Sequence, residues 1–166
     1  LIRVDGYLYH QRLFAVEERL AININVRLRS KQRCEPLQIS GARVDVESRP
    51  AILPTENGIG APILLSEEQG TALELAAGSP MTLISGGPGT GKTSIVVALL
   101  RVLVRLGIPI DQIELAAPTG KAAWRMGESI RKSLSLLRDP QNDDRELMES
   151  PPTPQTLHRL LAYHPR

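Results

Sequence analysis

The chain has 166 residues, 42% hydrophobic and 23% charged, with Lys+Arg 20 against Asp+Glu 18. That length suits one ordinary domain or one domain with a small appendage, and the balance excludes a disordered or fibrous chain. No apolar run approaches the roughly 20 residues that cross a bilayer, there is no basic-then-apolar leader, and the single Cys34 cannot form an internal disulfide, so a cytoplasmic protein with no membrane partner is expected.

The net charge of +2 conceals a division. Residues 81–137 carry seven basic and three acidic side chains, whereas 138–150 carry two basic and five acidic ones. A basic stretch beside an acidic one permits nucleic-acid contact without requiring it. The chain starts at Leu1 rather than Met and stops at Arg166 without an evident terminal element, so a piece of a longer protein is expected.

Leu13, Val16, Leu20, Ile24 and Leu28 recur at helical spacing, which predicts an amphipathic helix over Leu8 to Arg29, after a short strand. Gln38 to Val46 reads as a weaker strand. Pro50, Pro54, Gly58, Gly60 and Pro62 mark a linker or ordered irregular loop, and the expected organisation is a small front domain over 1–47, a linker over 48–64 and a second domain over 65–166.

The second domain begins with Ser66-Glu67-Glu68-Gln69, a capping-box pattern that predicts a helix to about Ala77, closed at Gly78. Met81 to Ser85 reads as a short buried strand. Lys92 to Leu106 is apolar apart from Arg101 and Arg105 and predicts a deeply packed helix, stopped by Gly107 and Pro109. Ile113 to Ala117 is expected as a second buried strand and Ala122 to Leu137 as a second helix. Asp139 to Pro154, rich in proline and polar residues, reads as a mobile loop. Strand, glycine loop, helix, strand, loop, helix is the start of a parallel α/β sheet.

Gly86-Gly87-Pro88-Gly89-Thr90-Gly91-Lys92-Thr93 fits G-x-x-x-x-G-K-[ST], the phosphate-binding loop. Glycines let successive N–H groups point at one anion, and the helix that follows, through Ser94, adds its N-terminal partial positive charge. Lys92 can reach the β- and γ-phosphates, and the Thr93 hydroxyl can ligate Mg²⁺. ATP and Mg²⁺ are the cofactors implied. After the second strand, Ala117-Pro118-Thr119-Gly120-Lys121 brings a hydroxyl, an ammonium and fresh helix N–H groups to a strand's carboxyl end, where open α/β sheets bind ligands. A second anion site there suits a polyanion such as DNA, or is a helix-capping loop with an exposed lysine.

Leu65 to Gln69, Ile84 to Thr93, Ala116 to Ala123 and Thr156-Leu157-His158-Arg159-Leu160-Leu161 occur in that order. Together they resemble the RecD-type superfamily 1 DNA helicases, the alpha subunit of exodeoxyribonuclease V, over roughly Leu64 to the end. The segments Gly6 to Tyr9 and Glu17 to Ala21 resemble that family's small N-terminal domain more weakly. The resemblance implies an α/β, RecA-like P-loop NTPase, here with an incomplete parallel sheet preceded by a small, mainly helical domain. It implies that Gln69 reads adenine, that Pro118, Thr119, Gly120 and Lys121 grip single-stranded DNA, and that Thr156 and His158 lie on the DNA side. It further implies 5′-to-3′ unwinding driven by ATP, a role in double-strand break repair and recombination, and the beta and gamma subunits of exodeoxyribonuclease V as partners.

A helicase also needs an Asp-Glu pair after a buried strand to hold Mg²⁺. Asp143-Asp144 has no apolar run ahead of it and does not qualify, so the chain is expected to bind nucleotide without hydrolysing it efficiently. Trp124 stands where the family has a small residue. It lies about 200° from Met126 around the helix and is expected to point outward, to stack on a base or pack against another segment. Two alternatives are a P-loop kinase, which would want an acidic or arginine acceptor site near the second strand, and a non-hydrolysing ATP-binding scaffold.

Overall fold

The computed structural model describes residues 1–4, 6–30, 34–54, 60–87 and 89–162. The chain opens with an antiparallel hairpin of β1 (Ile2–Val4) and β2 (Tyr7–Tyr9), in which Ile2 faces Tyr9. Helix α1 (Gln11–Leu28) follows as expected. Its apolar stripe nevertheless lies in solvent: Leu13, Val16, Leu20 and Leu28 are all exposed, and the helix has no buried residue. Arg27 Nε ties it to the Pro80 carbonyl at 3.0 Å.

The strand expected over Gln38 to Val46 is instead helix α2 (Pro36–Ser48). Its buried residues Ile39 and Val46 are seven apart. Seven positions return to one face of a helix but to opposite faces of a strand, so burying both against one neighbour requires the helix. Pro36 sits at the first helical turn, where its missing N–H costs nothing, and Glu35 N donates to Gln38 Oε1 at 3.4 Å. The linker contains a short antiparallel pair, β3 (Ile52–Leu53) and β4 (Ala61–Pro62). Ile52 N donates to the Leu136 carbonyl at 2.8 Å, which fastens this pair to the far end of the chain.

Helix α3 (Glu67–Gly78) begins at the expected capping box: Gln69 N donates to Ser66 Oγ at 3.2 Å and Ser66 N to Gln69 Oε1 at 2.9 Å. Arg43 clamps α2 to α3 by donating to Glu47 at 2.8 Å and Glu74 at 3.1 Å. The buried strand expected over Met81 to Ser85 does not form: this segment has no ladder partner among the described residues, and Leu83 is 89% exposed. A strand exists only through inter-strand hydrogen bonds, and apolar residues alone cannot supply them.

Helix α4 (Lys92–Arg105) is the central element. It ends in a Schellman motif: Gly107, at φ +77°, donates to the Val104 carbonyl at 2.9 Å, and Ile108 donates to the Leu103 carbonyl at 3.0 Å. A 3₁₀ turn at Ile110–Gln112 leads into β5 (Ala116–Ala117), shorter than the strand expected from Ile113. Only these two residues pair with β6 (Gln155–Thr156), in parallel register with Ala116 opposite Gln155 and Ala117 opposite Thr156. Between them run α5 (Gly120–Ser135) and α6 (Asn142–Glu149), and α7 (Leu157–Leu160) follows β6.

Helix α6 overturns the mobile loop expected over Asp139 to Pro154. Its Leu147 and Asp144 are both 0% exposed, and burial of those two side chains orders a segment whose composition is that of a loop. One core cluster joins Val97 and Leu100 of α4 to Ile130, Leu134, Leu137 and Leu147. The other joins Ala98 and Val102 to Val46 and Leu73. Helix α4 is therefore covered on both sides, α5 and α6 on one and α2 and α3 on the other, as its nearly all-round apolar surface requires. No described helix is long and apolar enough to cross a membrane.

Candidate nucleotide and nucleic-acid site

The phosphate-loop sequence lies where the exposed 81–87 segment turns into α4. Gly89 and Gly91 have φ of +77° and +76°, a conformation that penalises any L side chain. Space sets a second demand. A Cβ on Gly91 would collide with Gln69 Nε2, and one on Gly86 would stand 2.7 Å from Thr90 Oγ1. Neighbouring side chains therefore call for glycine at both positions. Lys92 Nζ donates to the carbonyls of Gly86 at 2.7 Å and Gly87 at 2.5 Å, which holds the ammonium over the loop. Thr93 is exposed on the first turn of α4, while Ser94 turns inward and lines a cavity of about 290 Å³ with Val97 and Ala98. Pro88 lies outside the described residues.

Gln69 is brought to the loop by α3. Its Nε2 donates to the Thr90 carbonyl at 3.0 Å while its Oε1 closes the capping box. One amide therefore links the start of α3 to the phosphate loop, and still has a second N–H and a second lone pair to offer. Among the described residues no group of three His, Cys, Asp or Glu can hold a metal ion.

The second group of expected residues assembles through sheet pairing. Beyond the register pair Ala117 and Thr156, the chain enters α5 on one side and α7 on the other. Thr119 Oγ1 accepts from Ala122 N at 3.2 Å, and Thr156 Oγ1 accepts from Arg159 N at 3.2 Å. Both hydroxyls act as helix caps through a lone pair, which leaves the O–H of each able to donate to a phosphate. Pro118, Gly120, Lys121 and His158 are exposed beside them.

The sequence reading missed an ion network that joins α4 to α6 and α2. Arg101, 4% exposed, donates through Nε to Asp144 Oδ1 at 2.7 Å and through Nη1 to the Val46 carbonyl at 3.3 Å. Arg105 donates through Nη2 to Asp144 Oδ2 at 2.9 Å and through Nε to Asp45 at 2.6 Å. Burial alone would raise the Asp144 pKa, but the bonds from Arg105 and Arg101 more than reverse this and hold it well below the usual carboxylate range. Asp45 is lowered too, with burial opposed by Arg105 and Arg49. Both Asp144 oxygens accept from guanidinium groups, which sets this residue in the core rather than at a metal. A signal was present: two arginines four apart on an otherwise apolar helix need a buried acid.

Residues 69–166 match the AAA domain family. The chain belongs to that family. It is therefore a P-loop NTPase fold. Within the AAA domain family, this chain resembles the RecBCD enzyme subunit RecD of Haemophilus influenzae, 45% identical over 95 residues, covering 57% of this chain and 15% of that protein. RecD of Mycobacterium tuberculosis is 41% identical over 103 residues, 60% of this chain and 17% of that protein. The ATP-dependent RecD2 DNA helicase of Deinococcus radiodurans is 36% identical over 102 residues, 61% of this chain and 11% of that protein. The RecD-type resemblance carried by the four sequence segments is thus supported across two kinds of relative, and the chain spans 11 to 17% of the length of these three proteins.

Proposed function

We propose that this chain carries the nucleotide-binding part of a RecA-like motor in an ATP-dependent DNA helicase. The helicase would unwind 5′ to 3′ in the cytoplasm, within a RecBCD-like exodeoxyribonuclease V that serves double-strand break repair and recombination. Its beta and gamma subunits would be the protein partners. In this reading the backbone of Gly86 to Gly91 cradles the phosphates, Lys92 neutralises them, Thr93 ligates Mg²⁺, Ser94 adds a helix N–H, and Gln69 reads the adenine. Bound MgATP supplies the phosphoryl group whose hydrolysis drives the motor. Pro118 to Lys121, Thr156 and His158 hold the backbone of single-stranded DNA. The front unit over 1–47 is fastened to the second, 65–166, through α2 and the 48–64 linker.

The observation that favours this reading over a small-molecule kinase is the parallel pairing of β5 with β6. It sets the Thr119–Lys121 and Thr156–His158 segments side by side, a polar and cationic surface suited to a chain of phosphates. Among the described residues no Asp-Glu pair follows a buried strand. Titration with a fluorescent ATP analogue and with labelled oligo-dT tests both halves. The reading expects magnesium-dependent nucleotide binding and oligo-dT binding that weakens steeply with salt. Nucleotide binding with no oligo-dT binding, together with phosphate transfer to a small acceptor, would overturn it.

A further inference from the structure

Helix α5 carries a stripe of Gly120, Trp124, Gly127 and Arg131, spaced four, three and four residues apart and so on one face, of which the proposed function uses Gly120 alone. The stripe forms one wall of a groove of about 480 Å³ whose other wall is Thr153 to Thr156, with Arg159 at its mouth. Trp124 is 64% exposed, a large apolar area to leave in water.

The flanking glycines give the indole its setting. Nothing lies within 4 Å of where a Gly120 Cβ would stand, so space is open on that side of the ring. Gly127 is buried, and a Cβ there would stand 3.3 Å from Pro154 Cδ, so its bareness lets the opposite wall come close. A larger residue at Gly127 would push the two walls of the groove apart. The surroundings are cationic: α5 bears Lys121, Arg125, Arg131 and Lys132 against Glu128 alone. Glu128 accepts from Arg131 at 2.5 Å in an exposed pair, which water screens.

We propose that Trp124 is a stacking platform for a base of single-stranded DNA, held in the groove between α5 and the Thr153–Thr156 segment. A flat aromatic face among arginines, with a capped threonine hydroxyl at the rim, matches a nucleotide whose base stacks while its phosphates meet the cations. The proposal rests on the single-stranded DNA reading and adds to it a contact to the base, beyond contacts to the backbone.

Trp124 is the chain's one tryptophan, so its emission reports this site alone. Wild type, Trp124→Phe, Trp124→Ala and Lys121→Ala are titrated with dT₁₂ and with an abasic strand of equal length, and circular dichroism checks folding. Expected results are quenching by dT₁₂ and weaker dT₁₂ binding by Trp124→Ala, roughly 5- to 150-fold. Trp124→Phe should retain most of the affinity, and abasic-strand binding should be equal for wild type and Trp124→Ala. Lys121→Ala should weaken both strands alike. If dT₁₂ binds with unchanged emission and Trp124→Ala binds as wild type, the platform is refuted while the DNA reading stands. If wild type binds neither strand, the DNA reading fails and the platform with it.

Discussion

Replacing Asp144 by alanine removes the acid that two buried or half-buried guanidiniums share. Its carboxylate accepts from Arg101 Nε and Nη2 at 2.7 and 3.3 Å and from Arg105 Nη1 and Nη2 at 3.1 and 2.9 Å. It also accepts from Gln141 N at 3.2 Å, which caps α6. In the variant, Arg101 keeps only the Val46 carbonyl and remains a charge almost wholly out of water. Breaking a buried pair from one side costs about 3–5 kcal/mol, a fifth or more of the roughly 5–15 kcal/mol that holds a domain together. At about 2–4 °C per kcal/mol for a chain of this size, the melting temperature should fall by roughly 6–20 °C. Urea unfolding followed by far-ultraviolet circular dichroism, with Arg101→Met and the double variant closing a cycle, measures both the loss and the coupling. The double variant should be more stable than Asp144→Ala alone, because it no longer strands the Arg101 charge. A loss under about 0.5 kcal/mol for Asp144→Ala would place it with ordinary surface substitutions and refute the network as a structural element.

The same carboxylates set the acid limb of stability. Because folding lowers the pKa of Asp144 and Asp45, their contribution is fully present above the unfolded value of about 3.9 and is lost as pH falls below it. The urea midpoint should hold from pH 7 to about 5 and then drop, with a shallower drop for Asp144→Asn; equal slopes would exclude Asp144 as a source. Gly91→Ala forces a side chain at φ +76° into Gln69 and should cost about 1–3 kcal/mol along with nucleotide affinity, read by thermal melts and a fluorescent ATP analogue. Lys92→Ala, at an exposed position, should weaken that analogue roughly tenfold or more with little change in melting temperature. Ser66→Ala removes the α3 cap and should cost about 1 kcal/mol in the same melts.

Legibility followed the reach of each interaction. The Ser66–Gln69 capping box and the Gly107 stop are settled by residues within a few positions of one another, and each forms where the sequence placed it. Helices α2 and α6 also had local signals, Glu35-Pro36-Leu37-Gln38 and the acidic first turn after Gln141, which composition outweighed in the reading. The Met81–Ser85 strand failed for a different reason. Five mostly apolar residues describe what a strand needs to be buried, not the neighbour whose hydrogen bonds make it one.

By itself the sequence determined the capping box that opens α3, the glycine before α4, the Gly107 stop after it and the resemblance to RecD-type proteins. These depend on backbone freedom and short-range hydrogen bonds, which residue identity alone dictates. The tertiary structure decided which residues are buried and which meet. It placed Asp144 against Arg101, 43 positions away, and Ala117 beside Thr156, and it left Trp124 on an open groove. Those outcomes come from packing α4 between two helical layers, and the energy of burying a charge or pairing a strand exists only once the distant partner is in place.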